Sequence, residues 1–68
     1  MKIMLQHKTT GMYWKGDNSW VPIAQEAMNF TTIEEAVIYA CERKLTELQV
    51  ELYYPQTGTK FILPFEQV

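Results

Sequence analysis

Phe30-Thr31-Thr32-Ile33-Glu34-Glu35-Ala36-Val37-Ile38-Tyr39-Ala40-Cys41 writes the start signal, the apolar face and the polar face of one amphipathic helix. Thr31 and Thr32 each stand three residues before a glutamate, Glu34 and Glu35, which makes two overlapping capping boxes. Downstream, Ile33, Ala36, Val37, Ala40, Cys41, Lys44, Leu45 and Leu48 recur at steps of three and four, whereas Glu34, Glu35, Glu42, Arg43 and Glu47 fall mostly outside that stripe. The spacing predicts a helix from Thr32 to about Leu45 that lays one face on a sheet. Arg43 and Lys44 stand in its last turns, where the helix dipole favours cations.

The sheet is read from the flanking segments. Residues 2–8 alternate, with Ile3, Leu5 and His7 on one side and Lys2, Met4, Gln6 and Lys8 on the other. Thr9-Thr10-Gly11 supplies a turn, and Met12-Tyr13-Trp14-Lys15 returns as a second strand. Gly16-Asp17-Asn18-Ser19 reads as a loop. Pro22 then suits a strand edge or a first helical turn, and 23–28 reads as a short helical turn of good helix formers. Beyond the main helix, Gln49–Tyr54 alternates again, Pro55–Thr59 turns, and Lys60–Phe65 closes a second hairpin. The expectation is an α+β fold in one domain, 1–68: a small antiparallel sheet of about four strands in the order ββαββ, with one amphipathic helix on one face. The other face stays wet or meets a partner.

Size and composition then restrict function. A chain of 68 residues with 47% hydrophobic residues has material for one packed core. A core of this size supplies about 3–5 kcal/mol, and folds this small commonly add a disulfide, a metal or a partner subunit. Cys41 is the one cysteine, so no disulfide forms within the chain, and one His with one Cys has no zinc-site spacing. Self-association or close packing is left as the stabiliser, which makes a homodimer a reading to test. A net charge of −2 offers phosphate backbones no attraction, so generic nucleic-acid binding is disfavoured. The negative charge gathers around the helix: Glu26, Glu34, Glu35, Glu42, Glu47 and Glu51 stand against Arg43 and Lys44. The first eight residues lack a signal peptide's apolar stretch, no run reaches the length of a membrane span, and a lone thiol fits a reducing compartment, so a cytoplasmic location is expected.

Candidate chemistry is sparse. Histidine is the side chain suited to acid–base work near neutrality, but His7 has no carboxylate and nucleophile spaced to converge on it. Cys41 falls mid-helix on the apolar side, as a core thiol would, away from the helix N-terminus that would activate it. Glu34 and Glu35 are adjacent and point about 100° apart, so capping accounts for them better than paired acid–base work. Gly11, Gly16 and Gly58 are dispersed and form no phosphate cradle. No catalytic, cofactor-binding or metal-ligating residue is assigned, and the chain reads as non-enzymatic. The aromatics offer the one opening: Tyr13, Trp14 and Tyr53 form a possible interaction surface, although covering a small sheet also consumes such rings. The first expectation is therefore a protein-interaction or self-associating module. The alternative is a small-molecule or single-stranded nucleic-acid binder using sheet aromatics.

Trp20, Phe30, Thr31, Glu35, Ala36, Tyr39, Ala40 and Val50 together resemble a pattern in small bacterial proteins of unknown function. There a Trp is followed by Phe, a Ser/Thr cap, an acid-Ala helix start and a final strand. The same segment is more distantly similar to the 18-kDa accessory subunit region of respiratory complex I, in which the step from Trp to Phe is longer and no strand matches Lys60–Phe65. The resemblance covers roughly thirty residues, and each matched position is one that any capped helix packing on a sheet would choose. It implies a fold and an absence of catalysis, and it brings no functional residue to this chain.

Overall fold

In the computed structural model, which describes residues 1–65, the chain forms five strands and one α-helix. They run β1 (Lys2–His7), β2 (Tyr13–Gly16), β3 (Ser19–Val21), a 3-10 turn (Ala24–Glu26), α1 (Ile33–Glu42), β4 (Leu48–Tyr54) and β5 (Thr59–Pro64). One sheet holds all five strands in the order β3-β2-β1-β4-β5, every neighbour antiparallel. The α+β class is as expected, but a third strand precedes the helix, giving βββαββ in place of ββαββ. Its cause lies in the segment read as a loop. Gly16 pairs with Ser19, and Asp17 and Asn18 between them both take positive φ, 52° and 56°, as a two-residue primed turn requires.

β1 and β4 are in register along their length, from Lys2 opposite Tyr53 to His7 opposite Leu48. β1 and β2, by contrast, pair only at Gln6 and Tyr13 and then diverge. The fork is filled by the chain that leaves the 3-10 turn. The Met28 amide donates to the Trp14 carbonyl at 2.9 Å, and the Phe30 amide donates to the Ile3 carbonyl at 2.9 Å. Through this fork the backbone passes from one face of the sheet to the other.

That crossing covers both faces. On the helix side, Ile3, Leu5, Trp14, Phe30, Leu48, Val50 and Leu52 pack with Ala36 and Ala40 of α1. On the other side, Met4, Tyr13 and Ala27 form a smaller cluster with Val21, Ala24 and Tyr53. The face expected to be wet is therefore partly roofed by the 3-10 turn.

Thr32 is the cap that starts α1: its Oγ1 accepts the Glu35 amide at 3.0 Å, which stabilises the helix by about 1 kcal/mol. The helix ends at Glu42, earlier than its periodicity suggests. The Leu45 amide donates to the Ala40 carbonyl at 3.0 Å and the Lys44 amide to Cys41 at 3.1 Å, a Schellman closure in which Lys44 holds φ at 56°. Leu48, placed by spacing on the helical stripe, instead opens β4. A β-carbon in the left-handed region costs about 1 kcal/mol that glycine avoids. Lys44→Gly is accordingly expected to stabilise the fold by about 1 kcal/mol and raise the melting temperature by about 4–8 °C in circular dichroism. An unchanged or lowered midpoint would refute it.

Candidate functional site

The aromatics of the first hairpin are interior. Tyr13 is 7% exposed and Trp14 3% exposed, so neither presents its ring to a partner. Their positions on β2 point to opposite faces, and each face is covered, one by the helix and the other by the 3-10 turn. Trp14 donates its indole N–H to the Tyr39 hydroxyl at 3.0 Å and meets Trp20 edge-on at 5.0 Å. Tyr39 is also met by Phe30 at 5.1 Å, with the Arg43 guanidinium 3.7 Å from its ring centroid. Tyr53, half-buried, is the member of the expected trio that remains at the surface.

His7 is a turn clamp. Its Nδ1 accepts the amides of Thr9 and Thr10 at 3.1 and 3.3 Å, and its ring packs edge-on against Trp20 at 5.4 Å. Cys41 is exposed, which corrects the expectation of a core thiol. Two alanines, Ala36 and Ala40, make the seam against the sheet, and Cys41 lies about 100° further round the helix than Ala40. Among the described residues no three His, Cys, Asp or Glu side chains gather as a metal would need.

Two features stand out. The first is Glu51, 3% exposed although it is an acid on the sheet face away from the helix. Met4 and Ile62 flank it across the ladder, and the Tyr13 hydroxyl approaches its two carboxylate oxygens at 3.0 and 3.2 Å. Burial, the hydrogen bond to Glu51 and the charge on Glu51, in that order, push the Tyr13 phenol up from 10.0 to about 12. Above the pair lies a concavity of about 350 Å³ lined by Ile23, Gln25, Tyr53 and Lys60 among others. The chain entering the 3-10 turn forms one wall of it, and Tyr53 of β4 with Lys60 of β5 forms the other.

The second feature is β5, which is exposed at all six positions. The helix lies over β1 and β4 and stops short of this edge. Phe61 and Leu63, opposite Leu52 and Val50, lie on the helix side, and Ile62, opposite Glu51, lies on the other. Their exposures are 52%, 38% and 41%. Tyr54 packs edge-on against Phe61 at 5.9 Å and extends the helix-side patch. The signal for this edge was present in the sequence: three consecutive large apolar residues cannot all face one core.

No helix among the described residues is long and apolar enough to cross a membrane. No family model, curated protein or solved structure matches the chain, so its chemistry is read from these side chains alone.

Proposed function

We propose that the chain is a non-enzymatic self-associating module that docks through β5, with a second copy of itself as the partner. The carrying observation is an edge strand whose Phe61, Ile62 and Leu63 are all exposed. Natural sheets blunt such edges with charges or short strands, because an open apolar edge is a template for another strand. Here Lys60 is the one charge on a six-residue edge, and Pro64 withholds an amide at its end.

The strand is complementary to itself. In a two-fold antiparallel pairing with Ile62 opposite Ile62, Phe61 faces Leu63 of the second copy and Lys60 faces Pro64. Residues opposite one another share a sheet face, so the Phe61 and Leu63 pairs meet on the helix side and no like charges meet. A register centred on Lys60 would set ammonium against ammonium. The two five-stranded sheets would thus become one, hiding apolar surface that a core this small leaves uncovered.

Burial of Tyr13 and Trp14 supports this reading over a stacking platform for nucleic-acid bases, as does the net charge of −2. Exposed Cys41 supports a reducing compartment, the cytoplasm, for the module, since oxidation would cross-link copies through it.

Sedimentation velocity across concentrations tests the pairing. The expected result is a concentration-dependent dimer that Ile62→Lys, which places two ammonium groups together at the dyad, weakens by about a hundredfold or more, roughly 3 kcal/mol. Circular dichroism of the variant should show the same fold, because Ile62 is a surface side chain. A wild-type chain that stays monomeric up to about 1 mM, where even a weak dimer would form, would sink the idea.

A further inference from the structure

Glu51 points to a binding site that self-association does not use. An ionised carboxylate offers about four acceptor positions. Among the described residues its hydrogen bonds come from the single Tyr13 hydroxyl, whose one proton is shared between contacts of 3.0 and 3.2 Å. A buried carboxylate served so thinly calls for a further donor. The space for one is present, because the concavity of about 350 Å³ opens directly onto it.

The chemistry of the walls selects the donor. Tyr13 spends its proton on Glu51, which leaves its oxygen lone pairs to accept another N–H. Tyr53 contributes a ring at the mouth, and aromatic faces attract cations. The protein already places a cation there: the Lys60 ammonium lies 6.0 Å from the Tyr53 ring centroid. Lys60 lies on β5 opposite Tyr53, diagonal to Glu51, so it guards the entrance without donating to the carboxylate. Phosphate and carboxylate ligands would meet Glu51 with like charge. The volume lies near the lower end for small-molecule sites, which suits a group of a few heavy atoms.

We propose that this concavity binds a small organic cation bearing N–H donors, an alkylammonium or guanidinium group, held by the Glu51 carboxylate and the Tyr13 oxygen against the Tyr53 ring. Gln25 at the rim supplies a neutral contact. Lys60 is a resident competitor that the ligand displaces from the ring.

Titration of the full chain with methylguanidinium chloride, followed by amide and side-chain NMR shifts, tests this. Saturable shifts are expected at Tyr13, Gln25, Glu51 and Tyr53, with sodium chloride at equal ionic strength giving none. Glu51→Gln, which keeps the shape and removes the charge, is expected to weaken binding at least about tenfold. Lys60→Ala, a surface change that leaves the floor intact, is expected to strengthen it severalfold. Shifts that track ionic strength alone would overturn the proposal, as would undiminished binding by Glu51→Gln or weakened binding by Lys60→Ala. The self-association reading stands or falls separately, since it is read by sedimentation of the chain without methylguanidinium; Ile62→Lys, which sets an ammonium opposite Glu51, is kept out of this titration.

Discussion

Trp14→Ala is expected to leave the chain largely unfolded at about 37 °C, because truncating a buried Trp typically costs about 3–5 kcal/mol and domains of this length hold only about 3–10 kcal/mol in total. Trp14 is 3% exposed and stands where the helix, β3 and the chain crossing the fork meet. Removing it empties the space against Trp20 and orphans the Tyr39 hydroxyl from its indole donor at 3.0 Å. Loss of near-ultraviolet dichroism together with a collapsed urea transition is the expected signature. Trp14→Phe separates the two contributions. It keeps a ring in the space and loses the hydrogen bond, so it should cost less, about 1–2 kcal/mol, with Tyr39 turning to water. A Trp14→Ala variant that retained most of its stability would show that the helix side of the sheet is not the principal core.

The same residue shows where sequence reading succeeds and where it stops. The caps and period of α1 and the alternation of β1 and β4 are local signals, carried by residues a few positions apart, so they are legible. That Tyr13 and Trp14 point to opposite faces was legible for the same reason. Whether those faces are covered was not, because the cover depends on Met28 and Phe30 entering the fork between β1 and β2. β3 is three residues long, too short for alternation to register, and its turn depends on two non-glycine residues accepting positive φ. Cys41 was misplaced because a regular apolar stripe does not say how wide the seam is. Two alanines let the helix sit close on a narrow line and leave the flank bare. Glu51 was invisible for a further reason: its partner lies 38 residues away, and val-glu-leu on a strand ordinarily sends the acid to solvent. Of the candidate site, then, Tyr13 and Tyr53 could be named beforehand, whereas Glu51, Gln25 and Lys60 could not.

Tyr13→Phe addresses that pair. Removing the hydroxyl leaves the Glu51 carboxylate buried without its donor, and hydrogen bonds to charged groups contribute about 1.5–3 kcal/mol, so a loss of that size is expected at neutral pH. The pH dependence measures the burial of the phenol first, and with it the hydrogen bond to Glu51 and the charge on Glu51. The phenol titrates at 10.0 in the unfolded chain and at about 12 in the fold, so the folded state holds the proton more tightly. Its contribution is fully present below about pH 10 and is lost as the pH rises through about 12; two units of displacement correspond to roughly 3 kcal/mol. Urea unfolding should therefore show the gap between wild type and Tyr13→Phe at its widest near neutrality and about half closed near pH 11. Every other side chain is common to both proteins, so its contribution cancels in the difference. Replacing both partners at once decides whether the carboxylate is there for stability. Tyr13→Phe with Glu51→Leu removes donor and acceptor together and should recover most of the loss, since an apolar pair of similar shape is often as stable as a buried polar one. Recovery with no stability deficit would mean that the fold does not need Glu51, as the proposed cation site requires. Failure to recover would place Glu51 among the residues that hold β1, β2 and β4 in their register.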